Sequence, residues 1–223
     1  MGAGESRWGA SDGAEASVIY LVRHGRTALN AAGALRGHID VPLDEVGRHE
    51  AAAVAAVLVA RGPRSVTSSP LRRAVETADA VAWRAGLVTR VDDRLLDRYY
   101  GEWAGTSVQE VLARWGSLDA APGVEPAIEV RERALAALAD IVQGSDAAPW
   151  VVVSHDAVIR LALTAMDPAL GDPDGVPQRT GCFNTIECLQ AADGSLSWQV
   201  LRVNEVSLNP ATVQAKEEPW PSP

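Results

Sequence analysis

Arg23-His24-Gly25 is the stretch of this chain with the plainest chemical content. A neutral imidazole can attack phosphorus in line. An adjacent guanidinium offers a planar fork to phosphoryl oxygens, and a glycine lets backbone come close to a ligand. The transition state of phosphoryl transfer is loose, so catalysis is mostly positioning and charge stabilisation. A histidine nucleophile must keep its attacking nitrogen free of a proton, which requires the other nitrogen to donate to a fixed acceptor. A phosphohistidine would then divide hydrolysis into two easier steps. Taken alone, the tripeptide fits equally well a histidine ending a strand beside a surface arginine, because short motifs recur by chance.

Its company narrows the reading. LVRHGRTALN is followed by LRGHIDVPLDEVG, then SSPLRRAVETA, then VVVSHDAVIR. From about Val18 to Leu163 this ordered set resembles the motifs of the histidine phosphatase superfamily, which includes cofactor-dependent phosphoglycerate mutases; the last two strands fit more loosely. The resemblance implies that His24 takes up the phosphoryl group, that Arg23, Arg73 and His155 surround it, and that Thr27 and Asn30 lie nearby as substrate-binding residues. Arg73 is implied rather than Arg72 because SPLxRA puts the functional arginine directly before Ala74. Arg72 reads as a solvated helix residue. No metal or other cofactor is implied.

The leaving alcohol needs a proton. The family's donor is a glutamate in LxExxxGxxxG, and the matching stretch here is LLDRYYGEWAG, which puts Asp97 at that position, one methylene shorter. Asp156 is a second departure, since glycine usually follows the second histidine. Acid-phosphatase relatives carry His-Asp there and use that aspartate as donor, so Asp156 is a rival, unless it only stabilises a helix N-terminus. Asp97 is the expected donor. Glu102 and His49 read as solvated. His38 sits in a loop that could reach substrate. Of Tyr99, Tyr100 and Trp103, two are expected in packing and one towards a substrate pocket.

These residues need elements to hold them. VIYLV (18–22) and WVVVS (150–154) are continuous apolar runs of the kind that form strands buried on both faces. Ser65–Ser68 and LVTRV (87–91) are shorter candidates. Helices are expected over 45–62, stopped by Gly62-Pro63; over 71–86, with Pro70 in the first turn and Gly86 closing; and over 106–115, 128–144 and 155–166. Residues 92–105 and 171–181 read as loops, and 183–191 with 195–203 as a closing strand pair around Asp193-Gly194. Strands alternating with helices imply an α/β fold, a three-layer α/β/α sandwich with a mostly parallel central sheet, phosphoglycerate mutase-like. In such folds ligands sit beyond the C-terminal strand ends. RHG, SPLRRA and SHD would all converge there.

Composition bounds the rest. The chain has 223 residues, 47% hydrophobic and 22% charged, enough for one domain. Residues 1–17 read as a flexible lead-in, 18–208 as the domain and 209–223 as a polar tail. Twenty basic residues against 29 acidic give a net charge of −9, which argues against nucleic acid or an acidic membrane as partner but not against a small phosphorylated substrate held by local arginines. No stretch is apolar enough to span a membrane, and no signal peptide is evident. Cys182 and Cys188, roughly 20 Å apart if one extended strand carries both, read as free buried thiols in a reducing, cytoplasmic setting. A homodimer is left open.

The expected activity is phosphomonoester hydrolysis. A phosphomutase is the neighbouring alternative, but only 57 residues separate Asp97 from His155, a short cover that would leave a phosphoenzyme open to water. A phosphate-binding protein without turnover is the third reading. Specificity is expected to come from residues 102–127 and 167–180, and the substrate is not readable.

Overall fold

The computed structural model describes residues 16–144 and 147–206. The expected tail and most of the lead-in lie outside them. Ala16 and Ser17, expected in the lead-in, instead open the first strand, paired with Leu189 and Cys188.

Six strands form one sheet: β1 (Ala16–Arg23), β2 (Ser65–Ser68), β3 (Thr89–Val91), β4 (Trp150–Ser154), β5 (Phe183–Gln190) and β6 (Leu196–Glu205), in the order β3-β2-β4-β1-β5-β6. The first four are mutually parallel; β5 and β6 run antiparallel and close one edge. Among the described residues six α-helices accompany them: α1 (Ala28–Ala31), α2 (Glu45–Val59), α3 (Arg72–Ala85), α4 (Val108–Trp115), α5 (Ala127–Gln143) and α6 (Asp156–Met166).

The uninterrupted apolar strands make sense once both faces are covered. Ile19 and Leu21 of β1, with Trp150 and Val152 of β4, pack against α5 and α6. Their alternates Tyr20, Val22, Val151 and Val153 pack against α2 and α3. Every one of these side chains is buried, each worth about 1.5–3 kcal/mol of transfer free energy. This is the three-layer sandwich with the mixed sheet in the middle.

Several boundaries differ from expectation. Pro70 precedes α3 rather than lying in its first turn, since Leu71 is the N-cap; Gly86 closes the helix in the left-handed conformation, φ 68°. Ser107 caps α4, so that helix begins at Val108. The loop at 92–105 carries two 3₁₀ turns, Asp93–Leu95 and Gly101–Trp103. A small third core of Leu35, Tyr100, Trp103, Val111 and Ala121 builds a cover from residues distant in sequence.

Strand register brings the motifs together. Arg23 ends β1 opposite Ser154 of β4, and Ser68 ends β2 opposite Val153. The segments after all three strands therefore leave the sheet at one edge.

Candidate active site

His24 is the first residue beyond β1 and is fully buried. Its backbone N–H donates to Ser154 O at 3.1 Å, fixing it to the end of β4. Gly25 follows in close contact with Gly47 of α2: a methyl on either would drive into the other segment's backbone. That contact explains the glycine at the end of the LDEVG stretch. Thr77 completes the clamp. Its hydroxyl accepts from Gly25 N–H at 3.0 Å and donates to Arg73 O at 2.8 Å.

This clamp sets the imidazole. Nδ1 lies 2.7 Å from the Gly25 carbonyl, which can only accept, so Nδ1 carries the proton. Nε2 accepts from Arg73 Nε at 3.2 Å. Burial, reinforced by the charges of Arg73 and Arg23, holds the His24 pKa well below 6.5. The ring is neutral near pH 7, with its lone pair on Nε2.

Arg73 is fully buried on the first turn of α3. Its guanidinium donates to Gly37 O and Ile39 O, both at 2.8 Å, and to Asp97 Oδ2 at 3.0 Å. His155 follows β4 at the N-cap position of α6, its ring centroid 5.1 Å from that of His24. Nε2 of His155 meets Ser69 Oγ at 2.7 Å. Nδ1 is buried without a hydrogen-bond partner and faces Asp97 Oδ2 at 3.9 Å. Burial and then the Arg73 charge also hold His155 well below the ordinary histidine range. Arg23 donates to the carbonyl of Gln178 and lies 3.6 Å from Asp156. The site is thus two neutral imidazoles between two guanidiniums, a cradle suited to a tetrahedral oxyanion.

The two candidate acids sit differently. Asp97 is buried, with Oδ1 accepting from Arg98 N–H at 2.9 Å and Oδ2 turned towards Arg73 and His155. Its own carbonyl accepts from His38 Nε2 at 2.9 Å and Arg133 at 3.1 Å, so the backbone is pinned from two sides. Asp156 lies on the first turn of α6, bound to Arg160 at 2.6 Å and to Arg23. Geometry gives Asp97 the inner position and Asp156 the outer one.

Thr27 and Asn30 form a closed pair. Asn30 Oδ1 accepts from both N–H and Oγ of Thr27, and Thr27 Oγ accepts from Asn30 N–H, a capping box for α1. Only the Asn30 amide nitrogen is left for a ligand. Arg72 is exposed and bonded to Asp40 and Glu76, while Glu102 and His49 are exposed, all as the sequence suggests. Tyr100 and Trp103 are packing residues, and Tyr99 is exposed beside His38. His38 contacts the Asp97 backbone, a support the loop position did not reveal. Among the described residues no cluster of three His, Cys, Asp or Glu side chains could hold a metal ion. No described helix is long and apolar enough to cross a membrane.

Sequence reasoning missed Ser69, Thr77 and Gln178. The first two lie inside the quoted motifs, where position signals them but chemistry does not. Gln178 comes from an irregular loop and carried no signal.

Known proteins resemble this chain in sequence and fold. The family model for the histidine phosphatase superfamily (branch 1) matches residues 19–204. Glucosyl-3-phosphoglycerate phosphatase of Mycolicibacterium vanbaalenii is 35% identical over 168 residues, covering 66% of this chain and 72% of the relative. The Mycobacterium tuberculosis protein of the same name is 33% identical over 165 residues, 66% and 74%. The solved structure of a mycobacterial glucosyl-3-phosphoglycerate phosphatase complexed with VO3 superposes with a TM-score of 0.74 at 28% identity, over 84% of this chain and 99% of that one. The chain belongs to the histidine phosphatase superfamily, branch 1, as an enzyme of its phosphohydrolase type.

Proposed function

We propose that this phosphohydrolase acts on a small phosphorylated metabolite through a phosphohistidine formed on Nε2 of His24. The observation that carries the reading is the tautomer: Nδ1–H is committed to Gly25 O, and Nε2 presents its lone pair beside Arg73. In the first step Nε2 bonds to phosphorus while the ester P–O bond breaks, and the leaving oxygen takes a proton from the acid form of Asp97. A phosphoryl dianion competes with Asp97 for Arg73, which frees Oδ2 for that proton. In the second step a water attacks phosphorus, gives its proton to Asp97 and expels His24. Arg23, Arg73 and His155 stabilise the equatorial oxygens in both steps.

Glucosyl-3-phosphoglycerate, the compound in the relatives' names, heads the substrate panel. Free, buried Cys182 and Cys188 support a reducing, cytoplasmic setting, with burial pushing their thiols up to about 12 and about 11. The test is phosphate release from a panel of metabolite phosphomonoesters by the wild type and His24→Ala. Release abolished in the variant supports the proposal. Phosphate binding without release of any substrate would return the protein to a binding role. Isomerisation of 3-phosphoglycerate faster than phosphate release would make it a mutase.

A further inference from the structure

The charge of Arg36 acts on this site beside those of Arg23 and Arg73, each of which has a carboxylate partner. Arg23 is matched by Asp156 and Arg73 by Asp97. Arg36 is half-buried, and among the described residues no carboxylate lies within ion-pair distance of it. Its one hydrogen bond runs to Ala34 O, two residues away, at 3.2 Å, and its Nε is buried with no partner at all. An unpaired, partly desolvated guanidinium near two others is costly to keep. Its charge reaches the whole cradle, pushing down Arg23, His24, Arg73 and His155 alike.

The position of Arg36 gives that cost a purpose. On its C-terminal side, Gly37 O holds Arg73. On its N-terminal side, Leu35 is bonded to the cover in both directions: Leu35 N–H to Thr106 O and Gly105 N–H to Leu35 O, each 2.8 Å. Arg36 therefore stands at the seam between the phosphoryl cradle and the cover formed by residues 92–127. The cradle residues are buried, whereas exposed His38 and Tyr99 mark the open side. On the reading of the His24 pocket as the phosphoryl site, the alcohol half of an ester would extend towards that open side.

We propose that Arg36 is a specificity residue, and that the substrate is a phosphomonoester whose alcohol half carries a second anionic group, a carboxylate or a further phosphate, which the Arg36 guanidinium binds. The proposal rests on the reading of the His24 pocket as the phosphoryl site. The second anion supplies the partner that Arg36 lacks in the chain itself.

Two substrate pairs test it. 3-Phosphoglycerate and glycerol 1-phosphate differ in a carboxylate, and fructose 1,6-bisphosphate and fructose 1-phosphate differ in a second phosphate. kcat/KM is measured on the full chain for the wild type, Arg36→Gln and Arg36→Lys. The wild type should prefer the more anionic member of at least one pair. Arg36→Gln should cut that preference about ten- to a hundredfold, the usual worth of one charge-assisted hydrogen bond, through KM rather than kcat. Arg36→Lys should recover part of it. A loss shared equally by both members of a pair, or no wild-type preference in either pair, overturns the proposal. The same ratios are read as Kd by calorimetry in a His24→Ala background. There a binding preference that depends on Arg36 survives even if hydrolysis is absent, so failure of the function and failure of this inference are told apart.

Discussion

The cradle at the ends of β1, β2 and β4 and the cover over residues 92–127 are built on opposite principles. Cradle side chains hang from strand ends whose register is set by the central sheet, and His24, Arg73 and His155 have no solvent exposure. The cover has one short helix, two 3₁₀ turns and its own small core around Trp103. It is held by ion pairs such as Arg98–Asp119 at 2.5 Å and Arg133–Glu125 at 2.7 Å. Asp97 belongs to the cover by sequence and to the cradle by contact. The difference teaches that the nucleophile is anchored on the buried central sheet, while the cover is a separately packed region that does not carry it.

Cradle substitutions should therefore harm every substrate alike, and cover substitutions should harm them unequally. The largest effect expected is His24→Ala, at least about 10³-fold in turnover on all phosphomonoesters. Arg73→Ala should cost roughly 10²–10³-fold in kcat on all of them, because it removes transition-state charge stabilisation. A substrate that escapes either loss would break the comparison. Asp97→Asn tests the boundary. It should slow esters of poor leaving groups by about 10²-fold but p-nitrophenyl phosphate less than about tenfold, since that leaving group needs little proton help. Equal losses would make Asp97 merely a partner of Arg73. Asp156→Asn should not show that leaving-group dependence.

Trp103→Ala empties the cover's core and its indole bond to Pro122 O at 3.0 Å. We expect a KM several-fold higher for the preferred metabolite and faster proteolysis within 102–127, with the global Tm nearly held. A fall in Tm matching a main-core deletion would show that the cover is not a separate unit. The smallest effect is on stability against pH. His24 and His155 have folded pKa values depressed below the unfolded value, so their contribution is fully present above about pH 6.5. On acidification the unfolded chain takes up protons that the folded chain refuses, and stability falls by up to about 1.4 kcal/mol per pH unit for each histidine. Denaturant midpoints between pH 7.5 and 5.5 should show this slope, and His24→Asn should flatten it.

The cradle was legible in sequence because its parts are strand ends. A buried parallel strand announces itself as an apolar run, and the residue after it must emerge at the ligand edge; that places His24 and His155, whose roles came from the motif resemblance. Arg73 shares the first turn of the next helix with Arg72, and the motif resemblance chose between them. Thr27 and Asn30 were identified by motif, but nothing local showed that they would spend their hydrogen bonds on each other. The cover resisted reading because its contacts are long-range and irregular. Leu35 pairs with Thr106, His38 supports Asp97, and Gln178 reaches back to Arg23, with no periodicity linking any of them. Arg36 was hidden for the same reason: its meaning lies in the partner it lacks, which no sequence pattern displays.

The central claim is the covalent step on His24, and trapping the intermediate tests it most directly. The full-length enzyme is mixed with a 32P-labelled phosphomonoester that it turns over, quenched in alkali within the first turnover, and digested to locate the label. A phosphohistidine is stable in base and labile in acid, so the account predicts label approaching one per chain, lost on acidification, mapped to the His24 peptide and absent from His24→Ala. Label on another residue, or rapid phosphate release with no trapped phosphoenzyme at any time point, would contradict it.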